Sequence, residues 1–172
     1  MSDFLQYYRL RAGAFAPTFA TKESACFDLY ALIEEGNPVE CHTDIGTLLK
    51  YPPKNDFFIL YPGDRAKVPT GIVLDIPRGY SVRVHPRSGV AYKHGIILAN
   101  SEGIIDSDYT DELFLLIVNT SDENFIIKSG MKLCQAEMVK DLEYSITETT
   151  DKPQQRTDRI GGFGSTGLIS NK

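Results

Sequence analysis

Apolar and polar positions alternate along most of this chain. The stretches "ACFDLYAL" (25–32), "RAKVPTGIVLDI" (65–76), "YSVRVHP" (80–86), "GIILAN" (95–100), "ELFLLIVN" (112–119), "NFIIKSGMKLCQAEMV" (124–139) and "EYSITET" (143–149) read as short strands rich in Val, Ile, Leu, Phe and Tyr. Turn signals punctuate them at Pro62-Gly63-Asp64, Pro77-Arg78-Gly79 and Ser129-Gly130. Helical periodicity is confined to "SGVAYKHG" (88–95), which predicts one short helix. Many short strands at regular spacing predict an all-β sandwich or jelly roll. No internal repeat is present.

Two stretches break the alternation. "EEGNPVECHTDIGTLLKYPPKND" (34–56) is polar and proline-marked, and reads as a surface excursion inserted in a β-domain spanning 1–140. Residues 141–172 begin with one strand, turn polar in "TTDKPQQRTDR", and end in "RIGGFGSTGLISNK". They read as a linker carrying a mobile glycine-rich arm.

Composition narrows the function. At 172 residues and a net charge of −5, one domain with a real core is expected, and a general nucleic-acid coat is not. A local convergence of basic groups on a small anionic ligand stays open. No apolar run is long enough to span a bilayer, and the first residues lack a signal-like apolar stretch. Cys26, Cys41 and Cys134 share no metal-type spacing, and neither do His42, His85 and His94. The expected setting is an intracellular, reducing compartment, whether the chain's own cytoplasm or an infected host cell.

Several groups could carry chemistry. "GIIDSDYTDE" sets Asp106, Asp108, Asp111 and Glu112 around Tyr109. It is either a solvated hairpin tip or a carboxylate that orients water or binds Mg²⁺ with a phosphate substrate. Asp28 stands inside an apolar strand and needs a partner: a backbone cap, a salt bridge or a metal's water shell. Arg87, Ser88 and Gly89 together can grip phosphate, or form an ordinary strand-to-helix turn with Ser88 as N-cap. The terminal "GGFGSTG" has the makings of a phosphate cradle, yet only five residues follow Gly167, too few for the usual helix.

Taken in order, these stretches resemble the homotrimeric deoxyuridine triphosphate nucleotidohydrolase (dUTPase) family. Its five motifs match "ACFDLYA" (25–31), "PRSGVAYKHG" (86–95), "NSEGIIDSDYTDEL" (100–113), "GMKLCQAEM" (130–138) and "RIGGFGSTG" (159–167). The resemblance implies a distorted jelly-roll β-barrel or sandwich, a homotrimer with shared active sites, and hydrolysis of dUTP to dUMP and pyrophosphate with Mg²⁺ on the triphosphate. Asp106 would activate the attacking water. Tyr109 would pack on deoxyribose and exclude a 2′-hydroxyl. Asn100 would read the uracil edge, and Arg87, Ser88, Gly89 and Gln135 would hold phosphates and water. Asp28 would reach Mg²⁺ through water. The arm would close over the substrate, with Phe163 on uracil, Gly164, Ser165 and Thr166 around the phosphates and Arg159 on the terminal one.

The chain departs from the family pattern in three places. Cys26 replaces the usual Gly, Thr110-Asp111 replaces Arg-Gly, and Arg159 stands one residue closer to Phe163. Residues 34–56 are longer than most members need, and are where a protein partner is expected to act. Two rival readings are a dCTP deaminase or bifunctional enzyme of the same fold, and a dUTP-binding signalling module. The deaminase branch lacks the "GGFGSTG" arm.

Overall fold

An alternating segment becomes a strand when one face meets a core and its edge meets a ladder. The computed structural model describes residues 4–43, 45–50, 52 and 55–158. In chain order its elements are β1 (Gln6–Arg9), β2 (Thr18–Phe19), β3 (Phe27–Tyr30), β4 (Val39–Thr43), β5 (Gly46–Lys50), β6 (Phe57–Leu60) and β7 (Arg65–Pro69). There follow β8 (Ile72–Asp75), β9 (Tyr80–Pro86), α1 (Ser88–His94), β10 (Ile96–Leu98), β11 (Gly103–Ile105), β12 (Phe114–Asn119), β13 (Phe125–Lys128) and β14 (Lys132–Lys140).

Two five-stranded antiparallel sheets, ordered β10-β12-β7-β4-β5 and β11-β9-β14-β3-β2, enclose one core. From the first sheet come Val39, Cys41, Ala66, Val68, Leu115 and Ile117; from the second, Phe27, Leu29, Val82, Val84, Leu133 and Ala136. Small ladders β1-β8 and β13-β6 complete the β-sandwich. This is the expected all-β, jelly-roll class, with one short helix among the described residues.

The chain breaks where turn chemistry demands it. "RAKVPTGIVLDI", read as one strand, is two, because Gly71 adopts φ +71° between β7 and β8. A Cβ at that position would lie 2.4 Å from Leu32 Cδ2. Helix α1 ends at Gly95, at φ 64°, whose N–H donates to the Ala91 carbonyl.

Two expectations are corrected. The excursion at 34–56 is not merely a surface loop: β4 lies inside a sheet between β7 and β5, with Val39 and Cys41 fully in the core. Lys50, at the end of β5, forms a closely packed ion pair with the buried Asp64 and lies 4.8 Å from the Tyr61 ring centroid. The polar residues of β4 are its outward half, and β7 supplies the ladder. Conversely, "EYSITET" forms no strand among the described residues. Tyr144 and Ile146 are exposed, so its alternation has no core to face. The chain divides into two compact units, Met1–Leu142 and Glu143–Lys172.

Candidate active site

Two groups of the expected residues assemble on the first unit. The first is the loop bounded by β10, β11 and β12. Gly103 sits so close to β9 that a Cβ there would lie 3.1 Å from Val84 Cβ. This draws the hairpin onto the sheet and leaves a cavity of about 290 Å³, lined by Asn100, Gly103, Asp106, Tyr109, Val84 and Phe114 among others. The volume lies just under the roughly 300–1,000 Å³ range of small-ligand pockets. Asp106 is exposed at its rim, and its carbonyl accepts a hydrogen bond from the Tyr109 N–H at 3.1 Å. The Tyr109 hydroxyl donates to the Glu112 carbonyl at 2.8 Å. Burial, with Asp111 and Glu112 nearby, raises the Tyr109 pKa, so its phenol stays a neutral donor.

The second group lies along the outward row of the other sheet. Register places Asp28 opposite Gln135, and Gln135 opposite His85. Asp28 is 5% exposed. Its Oδ1 lies 3.1 Å from Arg87 Nε, and its Oδ2 lies 2.7 Å from Lys132 Nζ. Arg87 Nη1 also donates to the Lys132 carbonyl at 3.0 Å. Gln135 Nε2 donates to the Pro86 carbonyl at 3.2 Å. The hydrogen bond from Lys132 to Asp28 is the main reason its ammonium pKa rises. Asp28 thus satisfies the salt-bridge alternative, with Lys132 as a partner the sequence reading did not name. A cation three positions before Gln135 was visible in the sequence, but its aim at Asp28 depends on strand register.

Ser88 and Gly89 are exposed at the start of α1. The N-cap is Arg87, with no side-chain capping bond, so Ser88 is the first helical residue and not the cap. The cavity at the hairpin is not lined by Arg87, Ser88 or Gln135. Arg159, Phe163, Gly164, Ser165 and Thr166 lie outside the described residues. A second apolar cleft of about 330 Å³, beside Phe4, Pro17, Phe19 and Phe27, carries none of the expected site residues. His85 bridges toward Glu137 and Glu102 at 3.3 and 3.6 Å, and His94 lies against Phe125 with ring centroids 5.4 Å apart. Among the described residues, no three His, Cys, Asp or Glu side chains converge as a metal-ligand set. No helix among the described residues is long and apolar enough to cross a membrane.

Comparison with known proteins gives a consistent answer. The dUTPase family model matches residues 55–167. A deoxyuridine 5'-triphosphate nucleotidohydrolase of Brucella melitensis is 38% identical over 151 residues, covering 88% of this chain and 83% of that protein. One of Rhizobium leguminosarum is 36% identical over 152 residues, covering 88% and 85%. In fold, a Staphylococcus bacteriophage 80alpha dUTPase variant superposes with a TM-score of 0.72 at 20% identity, covering 97% of this chain and 100% of the other. The Streptococcus mutans dUTPase gives 0.62 at 20% identity, covering 81% and 98%. With the family model spanning more than half of its residues, from the strand that precedes β7 to the glycine-rich end, this chain belongs to the dUTPase family.

Proposed function

We propose that this protein hydrolyses dUTP to dUMP and pyrophosphate. The observation that carries the reading is the convergence of Asn100, Gly103, Asp106 and Tyr109 on one nucleoside-sized cavity. An Asn amide offers a donor and an acceptor, as a uracil edge requires. Tyr109, anchored at its hydroxyl, presents a fixed ring to the sugar. Asp106, at the rim, takes a proton from a water as that water's oxygen bonds to the α-phosphorus. The bond from the α-phosphorus to the bridging oxygen breaks, and pyrophosphate leaves.

Phosphate recognition falls to Arg87, Ser88, Gly89 and Gln135, with Arg159, Phe163, Gly164, Ser165 and Thr166 of the arm closing over the substrate. The separation of the hairpin cavity from Arg87 and Gln135 supports a site completed between copies, in a homotrimer. The exposed alternation of Leu142, Tyr144 and Ile146 supports the same view, because such a pattern is stable as a strand only against another sheet. An intracellular setting fits this substrate. The deaminase reading is not favoured by the relatives, which are dUTP nucleotidohydrolases.

A related phage phi11 dUTPase coordinates a structural Mg(II) ion. Here both Asp28 oxygens face cations, at 3.1 and 2.7 Å, which favours contact with a metal through water over direct coordination. Asp28 would meet Mg²⁺ only in its outer shell, through water, with the triphosphate holding the ion. When bound, the ion would neutralise charge on the phosphates.

The test is pyrophosphate release from dUTP, dCTP, dTTP and UTP, with and without Mg²⁺. Asp106→Asn should retain dUTP binding and lose at least about 10²-fold in turnover, the scale of a lost general base. Near wild-type turnover in that variant would remove Asp106 from the role.

A further inference from the structure

We propose that Arg11 and Glu112 are positioning residues that hold the Tyr109 ring and thereby set the preference for deoxyribose; the inference rests on the cavity being a dUTP site. The two residues are 101 positions apart, and no motif contains Arg11. The fold brings them together through the turn between β7 and β8. The Leu10 N–H donates to the Gly71 carbonyl at 2.8 Å, which lays the N-terminal segment on that turn. The Gly71 N–H then donates to Glu112 Oε1 at 2.7 Å, and Arg11 Nη2 donates to the same oxygen in a close contact. The Glu112 side chain is only 12% exposed, and that of Arg11 24%.

Glu112 is the last link before the ring. Its carboxylate is held by Arg11 and Gly71, while its carbonyl accepts the Tyr109 hydroxyl. The next residue is pinned as well: the Leu113 N–H donates to the Ile72 carbonyl at 2.9 Å, and Thr70 Oγ1 donates to the Leu113 carbonyl at 2.6 Å. The Tyr109 hydroxyl is therefore tied to the carbonyl of a residue whose side chain Arg11 and Gly71 hold and whose following peptide N–H is bonded to Ile72, while the Tyr109 backbone N–H is tied to Asp106. A ring held at its hydroxyl, on a backbone that is itself bonded, can reject one extra oxygen on the sugar; a ring free to rotate makes room for it. The usual Arg-Gly after the tyrosine is Thr110-Asp111 here, and an arginine from the opposite end of the domain stands behind the same hairpin. Arg11 also faces Glu34 at 3.8 Å, so its guanidinium bridges two carboxylates.

A mere staple between the N-terminal segment and the turn would affect stability and leave selectivity alone. The distinguishing readout is the ratio of kcat/KM for dUTP to that for UTP, measured with melting temperature on the full chain. Wild type, Arg11→Ala, Arg11→Lys, Glu112→Gln and Tyr109→Phe are compared. Arg11→Ala and Glu112→Gln should lower the ratio about tenfold, the scale of one lost hydrogen bond to a charged group. Arg11→Lys should fall between, since lysine keeps the charge and loses the fork. Tyr109→Phe removes only the hydroxyl donor, and combining it with Arg11→Ala should lower the ratio little beyond the larger single effect, because both act on one linkage. A ratio unchanged within about twofold in Arg11→Ala, with a lowered melting temperature, overturns the proposal. If Arg11→Ala does not fold, an unchanged ratio in both Tyr109→Phe and Arg11→Lys does the same. A wild-type enzyme that treats dUTP and UTP alike instead overturns the underlying substrate reading, and that arm is scored before any variant.

Discussion

A carboxylate on an apolar strand must be paired or neutral, because an isolated ion in a poorly solvated site is costly. Asp28 meets the requirement with Arg87 and Lys132, and in return fixes a guanidinium that would bind phosphate. On the opposite face of β14, next to Gln135, Cys134 is fully buried. Burial pushes its thiol up to about 12, and Cys41 up to about 11. Both ordinary values are 9.0, so the folded state holds these protons more tightly than the unfolded chain. Their contribution to stability is complete below pH 9 and is lost as pH rises toward 11 and 12. Denaturant titrations should show stability falling across that window, and Cys134→Ala should flatten the slope by up to about 1.4 kcal/mol per pH unit, the linkage of one proton. At pH 8 an aromatic disulfide reagent should reach Cys26 and leave Cys41 and Cys134 unreacted until the protein unfolds. Rapid labelling of all three in the native protein would contradict the burial.

At the scale of elements, the β4–β5 hairpin separates what is tolerant from what is not. Ile45, in the turn, is exposed, whereas Val39 and Cys41 fill the sandwich between β5 and β7. Shortening the turn between the strands should leave folding intact, since surface loop length carries little entropy. Deleting 34–56 should give insoluble or unfolded protein, because it strips a ladder from β7 and opens a cavity. The Lys50–Asp64 pair sharpens this. Lys50→Ala strands a buried carboxylate and should cost about 3–5 kcal/mol by chemical denaturation, while Lys50→Met with Asp64→Asn should restore much of the loss. If Lys50→Ala is neutral, the pair is not a structural tie.

At the scale of the whole molecule, the question is how hairpin and phosphate groups meet. A site shared between copies makes a prediction that a self-contained site does not. Asp106→Asn and Arg87→Ala should each be nearly inactive alone. Denatured together in equal amounts and refolded, they should recover about a quarter of wild-type activity, the share of sites that draw one intact residue from each parent by random assortment. No recovery, with mixed oligomers demonstrated by mass, would place both residues in one copy's site.

Much of this was legible in the chain because it is local. Strands β9, β12 and β14 announce themselves by alternation, α1 by its short helical pattern, and the site's chemistry by residue types a few positions apart. Pairing was not legible. "VECHT" becomes a central strand because β7 offers it a ladder, while "EYSITET", with the better β-forming residues, forms no strand among the described residues. Lys132 finds Asp28 through register, and Arg11 finds Glu112 across 101 residues through one glycine turn. The sequence by itself determined the all-β class and which side chains can do chemistry, since hydrophobic period and functional group are properties of neighbouring residues. Only the tertiary structure decided which charges meet and which strands are buried, because both depend on groups that the chain brings close in space and not along its length.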